Sequence, residues 1–283
     1  MAADLVDGVA RRCAVLGDPI AHSLSPVLHR AGYAATGLDW SYAAHRVAGD
    51  GLEAFLAGLD ATWRGLSLTM PLKRAAMRLD VEVSSRAALV GAANTLVLEG
   101  GRVVLADNTD LPGAGAALRE RYDGPVREVT LLGGGATAAS TGLAMCDLGA
   151  EAITLLVRSA ARAQETVDAI ARHPSEPRIR VAELDTTVAT GDVLVSTVPA
   201  SAQTPELVAR CAQVPVVFEV LYDPWPTPLA RAASTSGRPL VGGLDLLVHQ
   251  AALQFELFTG RPAPLAILRE AGESALASAG GPA

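Results

Sequence analysis

The chain has 283 residues, of which 50% are hydrophobic and 19% charged, enough to bury a full core in one large or two modest domains. Its formal net charge of -7 argues against nucleic acid or an anionic membrane as partner, since either would require a basic surface, and leaves a small molecule. Three scattered cysteines (Cys13, Cys146, Cys211) with no CxxC and no histidine at ligand spacing argue against a disulfide framework and a metal site, and fit free thiols in a reducing cytoplasm.

At the N-terminus, MAADLVDGVARR has early acids and no apolar segment, so no signal peptide is expected. Alternating apolar runs and amphipathic stretches then predict strands at 13–16, 40–47 and 65–68, with helices at 28–36, 51–59 and 72–79. Residues 95–98 and 102–105, parted by Glu99-Gly100-Gly101, predict a hairpin on the edge of this small α/β unit. A helix at 113–122 and the break Asp123-Gly124-Pro125 precede a second alternation, with strands at 129–132, 153–157, 179–181, 193–195 and 216–220. Helices between several of these strands are what a parallel sheet requires. A helix at 244–257 and a short one from Pro264 complete the pattern, and the tail SALASAGGPA is low in complexity and expected to fray. The one long uncharged run, 129–146, is broken by Gly133, Gly134 and Gly135, which suits strand, turn and helix better than a membrane span.

That run holds a nucleotide signature. Gly133, Gly135 and Ala138 fall on the GxGxxG/A spacing directly after a strand and open a helix, where backbone N–H groups meet a pyrophosphate. A glycine-rich turn without a ligand is the plain alternative. The next strand ends at Arg158-Ser159, with Arg162 following, where an acid would grip the ribose hydroxyls of NAD and an arginine accommodates the extra phosphate of NADP. NADP is therefore favoured.

Among 23 basic residues only Lys73 is a lysine, and Asn94 and Asn108 are the only asparagines. A compact, titratable ammonium does work that guanidinium cannot, which singles out Lys73. Both asparagines stand in Asn-Thr pairs, Gly91-Ala92-Ala93-Asn94-Thr95 and Asn108-Thr109-Asp110.

With these residues in place the chain resembles the shikimate dehydrogenase family from about Val15 to Gly260. The resemblance rests on GDPIAHSLSP at 17–26, on SLTMPLK at 67–73, on the two Asn-Thr motifs, on Tyr222-Asp223-Pro224 with Thr227-Pro228-Leu229, and on the segment from Gly243-Leu244 through Gln250-Ala251-Ala252 to Phe258-Thr259-Gly260. It implies reversible NADP-dependent reduction of 3-dehydroshikimate to shikimate, a step toward chorismate and the aromatic amino acids. By position, Ser23 and Ser25 would hold the substrate carboxylate. Thr69, Asn94, Asp110 and Gln250 would contact ring hydroxyls, with Tyr222 nearby, and Lys73 and Asp110 would be the catalytic pair. Gly133, Gly134, Gly135, Ala136, Thr137, Arg158, Ser159 and Arg162 would bind the cofactor, and Val220 and Gly243 would face its nicotinamide end; no metal is implied.

Structural readings stand beside several of these. Ser25 suits a helix cap before Pro26, Asp110 suits the N-cap of the next helix, Gln250 an ordinary helical position and Tyr222 a packing role. The sequence also departs from the family: Ser67 replaces the usual Asn, Val157 an Asn, Ala136 a Gly, Asp245 a Gly and Leu246 a Met.

The expectation is thus a two-domain α/β protein with the active site in the interdomain cleft. Residues 1–110 form a substrate-binding domain completed by 244–283, and 111–243 form a Rossmann-type NADP domain. The expected enzyme is cytoplasmic, with oligomeric state left open and a homodimer included. Competing readings are a quinate/shikimate dehydrogenase with relaxed or NAD cofactor use, and a non-catalytic NADP-binding regulator on the same fold.

Overall fold

Residues 10–279 are described by the structure, a computed structural model. The leader-free reading of the first residues, and the last four residues of the tail, lie largely outside that range. Contacts divide the chain into two units: one comprises Met1–Ser84, Ala93–Asp107 and Ala251–Ala283, the other Ser85–Ala92 and Asn108–Gln250. The sequence reading drew its boundaries at 110 and 243 instead, so 85–92, 108–110 and 244–250 differ in assignment.

In chain order the elements are β1 (Arg11–Gly17), α1 (Ser25–Ala35), β2 (Trp40–Arg46), α2 (Leu52–Ala57), β3 (Trp63–Leu68), α3 (Leu72–Ala75), β4 (Glu82–Val83), α4 (Ser85–Val90), β5 (Thr95–Glu99) and β6 (Arg102–Asp107). There follow α5 (Asp110–Arg121), β7 (Glu128–Leu132), α6 (Ala136–Asp147), β8 (Ala152–Val157), α7 (Ala160–Ala171), β9 (Arg178–Glu183), β10 (Val193–Ser196), α8 (Pro205–Arg210), β11 (Val216–Glu219), α9 (Pro228–Thr235), β12 (Leu240–Val241), α10 (Gly243–Thr259) and α11 (Leu265–Ala279).

The first unit holds a mixed sheet in the order β2-β1-β3-β5-β6-β4. β1 runs parallel to β2 and β3, while β3 pairs antiparallel with β5, so the C-terminal ends of β1 and β3 meet the start of β5. The β5–β6 hairpin is not at the edge, as its sequence suggested. Two-residue β4 pairs outside β6, too short a strand to leave a periodic signal. An aromatic and aliphatic cluster of Cys13, Val15, Tyr33, Tyr42, Phe255 and Phe258 fills the sheet face under α1 and α10. The last helix is longer than expected. α11 runs on to Ala279 through the alanine- and serine-rich stretch, and packs on α1, where a Cβ at Gly32 would lie 3.1 Å from Leu268.

The second unit is a wholly parallel sheet in the order β12-β11-β10-β7-β8-β9. This is the doubly wound order, with its switch point between β7 and β10. Strands β7, β8, β10 and β11 are almost continuously buried, as a sheet covered on both faces demands.

Candidate active site

In the first unit, the turn after β1 carries the two serines. Ser25 is not the helix cap: it is the first residue of α1, Leu24 takes the flanking position, and no side chain caps it in the usual way. The backbone N–H of Ser25 instead donates to Ser23 Oγ at 3.4 Å, so Ser23 also holds the entry to the helix. The buried Ser25 hydroxyl lies within reach of Tyr42. The N–H groups of Val27 and Leu28 are spent on the Leu24 carbonyl, which leaves the hydroxyls to meet an incoming anion.

β3 and α3 bring two more candidates to the same sheet end. The Thr69 N–H donates to the Leu16 carbonyl at 2.9 Å, and Gly17 must be a glycine there because a Cβ would fall 2.3 Å from Thr69 Cγ2. Lys73 is half-buried in α3, and its carbonyl accepts the Ala93 N–H at 2.8 Å. That bond sets the lysine's helix beside buried Asn94, whose own N–H donates to Asp107 at 3.0 Å and whose carbonyl accepts from Leu68 at 2.7 Å. Ser23, Ser25, Thr69, Lys73 and Asn94 thus gather in one unit.

Behind them lies a buried polar chain that the motifs did not reveal. Tyr42 Oη donates to Ser67 Oγ at 2.5 Å, Ser67 Oγ donates to Gln254 Oε1 at 2.7 Å, and Gln254 Nε2 donates to the Asn94 carbonyl and to Thr95 Oγ1 at 3.1 and 3.0 Å. Ser67, where the family's motif has Asn, is therefore a fully engaged link. A Gln buried inside an otherwise apolar helical stretch was the available signal for Gln254.

In the second unit, Asp110 is 5% exposed in the first turn of α5. It is not the N-cap: Asn108 Oδ1 accepts the Leu111 N–H at 3.1 Å while its amide donates to the Ala92 carbonyl at 2.8 Å. Gln250, buried on α10, donates to the Leu247 carbonyl at 3.0 Å, and α5 approaches it so closely that a Cβ at Gly113 would lie 2.9 Å from its backbone nitrogen. Tyr222 is half-buried in the loop after β11. Lys73 belongs to the first unit and Asp110 to the second.

The cofactor candidates all follow C-terminal strand ends of the parallel sheet. Gly133 has φ +109° and packs against Thr197, and a Cβ at Gly134 would lie 2.5 Å from that of Ala163, so neither tolerates a side chain. Gly135 faces open space and no side chain caps α6. Gly135, Ala136 and Thr137 thus present an uncapped helix N-terminus at the switch point, as a pyrophosphate requires. Arg158 is exposed directly after β8, Ser159 caps α7 by accepting the Arg162 N–H at 3.4 Å, and Arg162 is exposed in the first turn. Two guanidinium groups beside a helix start suit a ribose phosphate. The Val220 N–H donates to the Ser196 carbonyl at 3.1 Å, and Gly243 backs so closely on the 220–221 backbone that a Cβ would lie 2.4 Å from the Leu221 carbonyl carbon. Asp245, another departure from the family, accepts the Gly242 N–H at 2.9 Å and pairs with Arg121 at 2.8 Å, fixing the start of α10.

Cys13, Cys146 and Cys211 are free and buried, and burial pushes their thiols up to about 12, 12 and 11. Among the described residues no cluster of His, Cys, Asp and Glu could hold a metal, and no helix is long and apolar enough to cross a membrane.

A doubly wound sheet with a glycine turn at its switch point and arginines at the next strand end defines a dinucleotide-binding α/β protein of the oxidoreductase type. The comparisons narrow this. Residues 15–96 match the shikimate dehydrogenase substrate binding domain and 243–271 the shikimate 5'-dehydrogenase C-terminal domain. The shikimate dehydrogenase (NADP(+)) of Synechococcus sp. (strain JA-3-3Ab) is 34% identical over 98% of both chains. The crystal structure of Mycobacterium tuberculosis shikimate dehydrogenase is 40% identical, with a TM-score of 0.82 over 95% of this chain and 99% of that one. The Thermus thermophilus enzyme in complex with NADP(H) and shikimate is 30% identical, with a TM-score of 0.81 over 94% and 99%. The chain belongs to the shikimate dehydrogenase family.

Proposed function

We propose that this protein catalyses the reversible NADP-dependent reduction of 3-dehydroshikimate to shikimate. The observation that carries the reading is the gathering of Ser23, Ser25, Thr69, Lys73 and Asn94 at one end of one sheet, together a carboxylate grip, hydroxyl-binding groups and an ammonium.

The two serine hydroxyls donate to the substrate carboxylate. Thr69 and Asn94 take ring hydroxyls, and Asp110, Gln250 and Tyr222 match the family's other hydroxyl-contacting positions. The 133–137 turn holds the pyrophosphate, Arg158, Ser159 and Arg162 the ribose phosphate, and Val220 and Gly243 border the nicotinamide end. When bound, NADP(H) supplies or accepts the hydride. Lys73 as an ammonium hydrogen-bonds the reacting oxygen and supplies its proton in reduction, and as the neutral amine takes that proton back in oxidation, while Asp110 matches the second position of the family's catalytic pair. The site of action is the cytoplasm, and a homodimer is the assembly to look for by light scattering.

The test crosses shikimate and quinate against NADP and NAD with purified protein, following nicotinamide absorbance. Turnover with shikimate and NADP is expected, and none with any pairing refutes the reading. Lys73→Ala should lower turnover by about 100-fold or more with folding intact; near-normal turnover removes the lysine from the chemistry.

A further inference from the structure

Glu219, the last residue of β11, is a charged side chain with no exposed surface, and the mechanism above gives it no part. A carboxylate is costly to bury unless donors converge on it, and here three do. Its Oε2 accepts from Gln203 Nε2 at 2.7 Å and from Thr227 Oγ1 at 2.9 Å, and its Oε1 accepts the Leu221 N–H at 3.2 Å. Both side-chain donors are themselves tied down. Gln203 Oε1 accepts the Leu229 N–H at 3.0 Å, and Thr227 Oγ1 accepts the Ala230 N–H at 3.2 Å as the N-cap of α9.

These contacts fall on both ends of one loop. Leu221 lies at the start of segment 220–227 and Thr227 at its end, so a single carboxylate closes the loop like a clasp. Gly243 supports the same segment from behind, within 2.5 Å of the Leu221 carbonyl for an added Cβ, while residues 223–226 are exposed. Val220 lies between Glu219 and the Leu221 anchor, and Tyr222 directly follows that anchor. The geometry points to Glu219 as a positioning residue: it holds loop 220–227, and with it Val220 at the nicotinamide end and Tyr222 two residues on, an inference that rests on the proposed function. A carboxylate suits the task because both its oxygens accept, whereas a glutamine offers one oxygen and turns an N–H toward a donor.

The experiment compares wild type with Glu219→Gln and Gln203→Met, reading amide exchange of 220–222, kcat, both KM values and NADP affinity in the absence of substrate. Wild-type turnover with shikimate and NADP is the control for the function itself. Its absence counts against that reading, and the exchange data still decide whether Glu219 clasps the loop. Glu219→Gln is expected to speed exchange at Leu221 and Tyr222 by about 10-fold and to lower kcat by about 10-fold, with exchange in β7, β8 and β10 unchanged. Gln203→Met should move the same readouts in the same direction by about threefold, and the double variant should be no worse than Glu219→Gln alone. Exchange or kcat within twofold of wild type in Glu219→Gln overturns the inference. If that variant does not fold, unchanged loop exchange or kcat in Gln203→Met overturns it.

Discussion

Ser67 donates its hydroxyl hydrogen to Gln254 Oε1 across 2.7 Å, although 187 positions separate the two residues in the chain. Because Ser67 also accepts from Tyr42, replacing it by alanine strands a buried donor and a buried acceptor at once. Ser67→Ala should cost about 1–3 kcal/mol in a urea melt, with a rise in KM for shikimate as Gln254, which bonds the Asn94 carbonyl, loses its own anchor. A melt indistinguishable from wild type would mean that the link contributes nothing.

Ser23 holds the helix entry and is proposed to grip the substrate carboxylate, and the two roles separate experimentally. Its contact with the Ser25 N–H is a long one at 3.4 Å, so Ser23→Ala should lower stability by less than about 1 kcal/mol. The loss of a carboxylate donor should raise KM for shikimate about 10-fold or more, since hydrogen bonds to charged groups are worth roughly 1.5–3 kcal/mol. An unchanged KM would confine Ser23 to holding the helix entry.

Arg158 and Arg162 are exposed at the end of β8, so their removal should leave the fold alone. Arg158→Ala should raise KM for NADP about 10-fold while leaving that for NAD nearly unchanged. Equal loss with both cofactors would assign the arginine to something other than the extra phosphate.

His29 is fully buried and stacked on Tyr42 at 4.2 Å, neither ring nitrogen has a hydrogen-bond partner of good geometry among the described residues, and burial pushes its pKa down to about 3, opposed by the neighbouring Gln254 amide. The folded value lies below the ordinary 6.5, so the unfolded chain binds the extra proton. Stability is therefore present above about pH 6.5 and falls as pH drops toward 3, at up to about 1.4 kcal/mol per pH unit from this residue. His29→Phe should raise stability at pH 7 by roughly 1 kcal/mol and flatten the decline between pH 6.5 and 5. Parallel urea midpoints for both proteins across that range would locate the acid sensitivity elsewhere.

Much of this was legible in the sequence where a single stretch carries its own signal. The turn at 133–137 announces itself by glycine spacing after an apolar run, and Lys73 by its solitude. Asn94 and Asp110 stand in motifs that survive reading in one dimension. What escaped depends on distant partners. β4 and β12 have two residues each and exist as strands only because β6 and β11 offer an edge. The alternative of Asp110 as a helix cap fails because Asn108 reaches Leu111, and that of Ser25 because its own N–H donates to Ser23. Gln254 and Glu219 looked like polar interruptions of apolar elements, because the groups that satisfy them come from other elements entirely.

Lys73, half-buried in the four-residue α3, is the chain's single ε-amine. An acylating reagent aimed at primary amines therefore has one side-chain target in the whole molecule, and that target is the group proposed to act on the reacting oxygen. With the N-terminal amine accounted for, labelling stoichiometry counts Lys73 alone, and any ligand that shields the ammonium is visible as the loss of one adduct without peptide mapping.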